Sequence, residues 1–319
     1  MIRTALLAAA LLAAPAANPA FAFEDVADMY PQSVLYSKPY EVIPNVWSAI
    51  GATAPPTYEN AGHNNNLSFL ITGDGVVVIN GGANYKLAEA LHAEIKAITD
   101  QPVKLVINEN GQGHAMLGNS YWAEQGVEIL AHEDAAHEFE EYGPQILEGM
   151  KRYAQENSDG TTLVQPTRTF SDKEVIEMGD MRIEVLHSGP AHGPGDTQVW
   201  LPELGMMIAG DIAFNNRMTP IFVETCTSCW IETWETAFAP LNATYVIPGH
   251  GNPTNMAQVE KDTIGYLKHL RGVVGEHLDN GGSLDDAYYV DQEPYRYLDT
   301  FDELATKNAG QVFAEMEFE

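Results

Sequence analysis

Basic residues and cysteine are what this chain has least of. Sixteen Lys and Arg stand against 45 Asp and Glu in 319 residues, a formal net charge of −29 with histidine neutral. Nucleic-acid binding needs a basic footprint, so that class is excluded, and an anionic membrane surface is an equally poor partner. Cysteine occurs twice, as Cys226-Thr227-Ser228-Cys229. A single CxxC lacks the second pair of a zinc knuckle. It reads as a local disulfide, a redox pair or two metal thiolates, with local structure favoured. Gly73-Asp74-Gly75 and Gly111-Gln112-Gly113 are not followed by Lys-Ser/Thr and do not form a dinucleotide fingerprint, so phosphate cradling has no support. The Gly-x-Ser-x-Gly elbow of serine hydrolases is absent too.

Long hydrophobic runs are also missing. The apolar stretch 5–14 follows Arg3 and ends in Pro19-Ala20-Phe21-Ala22, a small-x-small cleavage signal. This predicts a signal peptide over residues 1–22, a mature chain from Phe23, and a periplasmic or secreted protein. No later stretch reaches about 18 uninterrupted apolar residues, so no stable membrane insertion is expected. Apolar residues at 45% and aromatics at 9% describe a folded chain.

Periodicity organises the rest. A strand pair is expected over 40–50 and a hairpin over 67–72 and 76–79 through Gly73-Asp74-Gly75. Leu87, Leu91, Ile95 and Ile98 sit at helical spacing in 86–98. Strand 103–107 enters a glycine-rich loop, 108–119. A helix over 133–156, interrupted at Gly143-Pro144, precedes strands near 161–170, 173–178 and 181–186. A second hairpin (198–201, 206–209), a helix at 230–238, strand 243–247 and a long helix at 255–278 follow. Hairpin, helix and strand thus recur in two halves, implying two sheets inside and helices outside. Residues 23–280 read as one domain, and 281–319 as an acidic C-terminal extension packed on it.

Chemistry concentrates where strands end. The loop after 103–107 holds one good ligand or base, His114, among neutral amides. His192 in Pro190-Ala191-His192-Gly193-Pro194-Gly195, Asp211 in Ala209-Gly210-Asp211 and His250 in Pro248-Gly249-His250-Gly251 each follow an apolar run beside glycine or proline. Such turns can hold side chains over a shared pocket. Two imidazoles and a carboxylate suit zinc or a similar divalent ion; ordinary loop polar residues are the plainer alternative.

Taken together with Ile79-Asn80-Gly81-Gly82 and Asn216-Arg217, these motifs resemble the metallo-β-lactamase fold hydrolases, in particular the exported branch associated with thiosulfate oxidation and quinoprotein relays. The resemblance runs from Tyr40 to the helix after His250. It implies an α/β (α+β four-layer) αββα sandwich with a metal site at one edge. In intact members a His-x-His-x-Asp-His signature, with the residues matching His192, Asp211 and His250, holds two zinc ions and a water that attacks the substrate. Here that signature is degenerate. Asn110 and Gln112 stand at the first two histidines, His114 at the aspartate and Ala115 at the last histidine, and Asn80 replaces a supporting aspartate. The first zinc site would keep His192 alone. The second could assemble His114, Asp211 and His250, with Asp211 and His114 central to catalysis. His63 or Glu109, both expected to face solvent, could replace the missing base.

The expectation is therefore a divergent hydrolase with at most one zinc, attacking an ester, thioester or amide-like bond of a small-molecule substrate. The alternatives are an inactive member that binds a small molecule or protein, and a redox role for Cys226 and Cys229.

Overall fold

Side-chain alternation in the buried strands decides the architecture. A computed structural model describes Tyr30 and residues 32–319, so the expected signal peptide lies outside the described residues. Seven strands form one sheet in sequence order: β1 (Tyr40–Ile43), β2 (Val46–Ala49), β3 (Leu67–Ile71), β4 (Val76–Ile79), β5 (Val103–Ile107), β6 (Glu128–His132) and β7 (Arg168–Phe170). Pairing is antiparallel from β1 to β4 and parallel from β4 to β7. The second sheet contains β8 (Lys173–Met178), β9 (Met181–Leu186), β10 (Gln198–Leu201), β11 (Met206–Phe214) and β12 (Tyr245–His250), ordered β12-β11-β10-β9-β8. Its β11–β12 pair is parallel and the others antiparallel.

In β4, Val77 and Ile79 face the second sheet, while Val76 and Val78 face helices. In β11, Met206 and Ile208 enter the inter-sheet core and Met207 and Ala209 the opposite layer. A strand apolar on both faces must be covered on both, which yields helix, sheet, sheet, helix. The helices are α1 (Tyr85–Ile98), α2 (Gly113–Met116), α3 (Asn119–Glu124), α4 (Glu133–Ala154), α5 (Thr227–Thr233), α6 (Met256–Val259), α7 (Gly265–Asp279), α8 (Leu284–Ala287) and α9 (Phe301–Met316). Asn84 starts α1 by accepting a hydrogen bond from Leu87 N–H, and Leu87, Leu91 and Ile95 bury its inner face.

Two local expectations need correction, and one open alternative is resolved. Helix α4 runs unbroken through Gly143-Pro144. Proline removes one backbone donor there, but buried Phe139 and Met150 on either side keep the helix against the α2 layer. Only 168–170 of the stretch 161–170 is strand. Cys226 and Cys229 form a disulfide, with S–S 1.96 Å, which removes the thiolate-ligand alternative. Residues of the C-terminal segment (Leu298, Ala309, Val312, Phe313) share one buried cluster with Trp230 and Leu267. Among the described residues no helix is long and apolar enough to cross a membrane.

Candidate metal centre

Asp211 lies inside β11, where the expectation placed it after a strand. The strand bulges at Gly210, whose φ is +62°, and its register to β12 shifts on both sides. A bulge re-aims the next side chain, and Asp211 ends up 1% exposed among three imidazoles. Its Oδ1 is 3.3 Å from His250 Nε2. Its Oδ2 is 3.5 Å from His114 Nε2 and 3.6 Å from His192 Nδ1, and accepts a 3.0 Å hydrogen bond from Asn110 Nδ2.

His250 is the last residue of β12, and its Nδ1 is 2.6 Å from the Asn64 carbonyl and 2.8 Å from Arg217 Nη1. His114 stands in the single turn of α2, with Nε2 3.0 Å from Glu109 Oε1. Donor atoms of His114, Asp211 and His250 all lie within 4.8 Å of one another. His192 is outside that group. Its Nδ1 meets Gln112 Nε2 at 3.0 Å, its Nε2 is buried without a partner, and its ring packs against Phe222 and Trp230.

Zinc bonds of about 2.0–2.1 Å in a tetrahedron put neighbouring donors about 3.3 Å apart. His250 Nε2 is 3.3 Å from Asp211 Oδ1 and His114 Nε2 is 3.5 Å from Oδ2, each close to that spacing at its own oxygen of the one buried carboxylate. This donor set fits one divalent cation. The first family site does not fit: Asn110 and Gln112 are neutral and already turned to Asp211 and His192.

Electrostatics support a charged cluster. Burial pushes Asp211 up, but His250, His114 and His192 outweigh it and hold the carboxyl below the usual range. Burial pushes His192 and His250 down to about 4, leaving both neutral at neutral pH. His114 moves the other way, because Asp211 and Glu109 outweigh its burial. Glu109 is raised by burial and by Asp211.

The remaining positions have structural partners. Glu109 and His63, expected at the surface, are buried, at 2% and 0% exposure. Glu109 touches His114, whereas His63 Nδ1 accepts the Tyr36 N–H and the ring does not line the cavity. Asn80 accepts the Glu109 N–H through Oδ1, and the Ala115 carbonyl accepts the Gly81 N–H. A cavity of about 470 Å³ opens over His114, His192 and His250. Ile146, Met150, Phe222 and Leu304 supply apolar walls, with Arg217 inside and Lys307 from α9 also lining it. Sequence reasoning did not assign Asn64, Arg217, Phe222 or Lys307 to the site. Arg217 alone had a signal, a rare cation six residues after Asp211.

No family model matches the sequence. Solved structures do resemble the fold. A metallo-β-lactamase from Pontibacter korlensis superposes with a TM-score of 0.60 at 19% identity, over 72% of this chain and 98% of that one. The DIM-1 metallo-β-lactamase exposed to ceftazidime gives 0.58 at 16%, over 72% and 96%. The stereoselective inverting sec-alkylsulfatase Pisa1 from Pseudomonas sp. gives 0.66 at 16%, covering 87% of this chain but 50% of that protein. At such identities the likeness carries architecture: this chain has the metallo-β-lactamase fold.

Proposed function

We propose that the protein is a divergent metal-dependent hydrolase with one zinc ion at His114, Asp211 and His250, acting on an ester, thioester or amide-like bond. The observation that carries this reading is the convergence of His114, Asp211 and His250, whose ligand atoms all lie within 4.8 Å of one another, with Asp211 Oδ1 buried 3.3 Å from His250 Nε2. The motifs at 190–195 and 247–251 support placement near the exported thiosulfate-oxidation and quinoprotein-relay hydrolases, and the signal-like N-terminus supports a periplasmic or secreted location.

Bound zinc would supply a Lewis acid and lower the pKa of water. The protein's own groups set up the rest. With its proton on Nδ1, His250 would donate to the Asn64 carbonyl and keep the Nε2 lone pair free to ligate a cation shared with Asp211. Asn110 fixes the Asp211 carboxylate from the other side. Glu109, buried beside His114 and outside the cavity lining, holds and orients the His114 ring through Nε2. Apolar cavity walls limit competing water at the reacting group.

A second reading, a non-catalytic binding protein, is favoured by one feature. A protonated His114 between Glu109 and Asp211 offsets one of the two carboxylate charges without any metal. Metal analysis of purified protein separates the two. The hydrolase reading expects about one zinc per chain, lost in His250→Ala, with activity on an ester panel lost in parallel. No tightly bound metal, and no uptake from micromolar zinc, leaves the binding protein standing.

A further inference from the structure

The Cys226–Cys229 bridge has no part in the metal centre. A bridge stabilises a fold mainly by closing a loop, and more so as the loop lengthens. This one joins residues three apart, so it contributes little to global stability. Its consequence is local.

Side chains of α9 pin the chain on both sides of the turn that leads into the bridge. Asn308 Oδ1 accepts the Ile221 N–H, and Glu315 accepts the N–H groups of Thr227 and Ser228 and the Thr227 hydroxyl. Arg271 pairs with Glu315 and Glu319 behind them. Between the pins, Thr225 fastens the turn: its Oγ1 accepts the Phe222 N–H and donates to the His192 carbonyl. Phe222 stands edge-on to the His192 ring, 5.2 Å between centroids, and forms part of the cavity wall. Cys226 follows Thr225 directly, so the bridge ties this wall to the first turn of α5.

The two sulfurs are not equivalent. Cys226 Sγ accepts the Cys229 N–H at 3.2 Å and lies 3.6 Å from the Ser228 hydroxyl, whereas among the described residues no hydrogen bond reaches Cys229 Sγ. Donors around a sulfur lower its thiol pKa, and the thiol of lower pKa leaves faster. A thiolate that attacks Cys229 Sγ therefore expels Cys226. Both cysteines are half-buried rather than sealed in the core.

We propose that Cys226–Cys229 is a redox site opened by dithiols, and that its oxidised form braces the cavity wall at Phe222 and His192. The attacking thiolate bonds to Cys229 Sγ, the S–S bond breaks, and its electron pair leaves on Cys226 Sγ, which takes a proton. The reductant's second thiol then displaces Cys229 Sγ and closes its own disulfide, and Cys229 takes the other proton. The pair of electrons and both protons pass from dithiol to protein. A monothiol stops at the mixed disulfide, where Cys226, three residues away, expels it again. Neither a metal nor a hydrolytic reaction is required.

The test treats the native protein with dithiothreitol, traps thiols with iodoacetamide, weighs the intact chain and follows hydrogen–deuterium exchange. Both cysteines should be trapped without denaturant, and an equal thiol concentration of mercaptoethanol should leave the bridge closed. On reduction, exchange over 222–230 should quicken by about tenfold or more while β5 keeps its rate. Reoxidation should restore the slow rate. Cys226→Ser combined with Cys229→Ser should show the fast exchange with no reductant, since serine can still cap α5. Trapping only in denaturant, equal opening by mercaptoethanol, or unchanged exchange over 222–230 overturns the proposal. Faster exchange in β5 as well would make the bridge a global staple and overturn it too.

Discussion

At the scale of single residues, the site is one carboxylate shared among several imidazoles, and protons decide which of them can ligate. His250 is held down to about 4 by burial, so its ring is neutral throughout the neutral range. His114 is raised, because Asp211 and Glu109 outweigh burial, so it holds its proton to higher pH than a free imidazole does, and a cation must displace that proton. Deprotonation therefore favours metal, and zinc affinity should rise with pH across neutrality, by up to about tenfold per unit while that proton is held. Zinc titrations at a series of pH values check this; affinity independent of pH would show His114 unprotonated or uninvolved. His192, Asp211 and His250 were legible in the sequence, since each follows an apolar run beside glycine or proline. That His192 stands apart from the His114, Asp211 and His250 group was expected from the resemblance, but its partner was not legible. It depends on which ring nitrogen meets Gln112, a contact spanning 80 residues. Glu109 and His63 were misread as surface residues for a related reason: polar loops look exposed until the packing against them is known.

Elements place these residues. The register shift around Gly210 turns Asp211 into the cluster, and only a residue tolerant of φ +62° allows it cheaply. A Cβ at this position would meet Glu109 Oε2 at 2.7 Å and the Thr197 carbonyl at 3.0 Å. Gly210→Ala should accordingly cost about 1–3 kcal/mol of stability and weaken zinc binding by displacing Glu109 and re-aiming the adjacent Asp211. Urea denaturation and the same zinc titration measure the two effects. Unchanged values for both would mean the bulge does not position the site. Hairpins with strong turn signals and α1 with its heptad-like apolar face were readable because their information is local. The unbroken course of α4 was not, because the contacts that hold it across Pro144 come from another layer.

For the whole molecule, the sandwich followed from hydrophobic alternation, but the cavity did not. One of its walls comes from α9, in a segment that sequence reasoning set apart as an extension. Asp299 shows how that segment is tied in: its carbonyl accepts the Met218 N–H and its carboxylate the Thr53 hydroxyl. The position beside His192, which the resemblance makes a first zinc site, does not fit a metal for a different reason. Asn110 and Gln112 fill it with neutral amides whose hydrogen bonds are already made. The central claim, one cation per molecule at a rebuilt position, is tested most directly by zinc anomalous scattering from crystals grown with the metal. A single anomalous peak bonded to His114, Asp211 and His250 is the predicted result. A peak at His192 beside Gln112, a second peak of comparable height, or no peak at saturating zinc would contradict it.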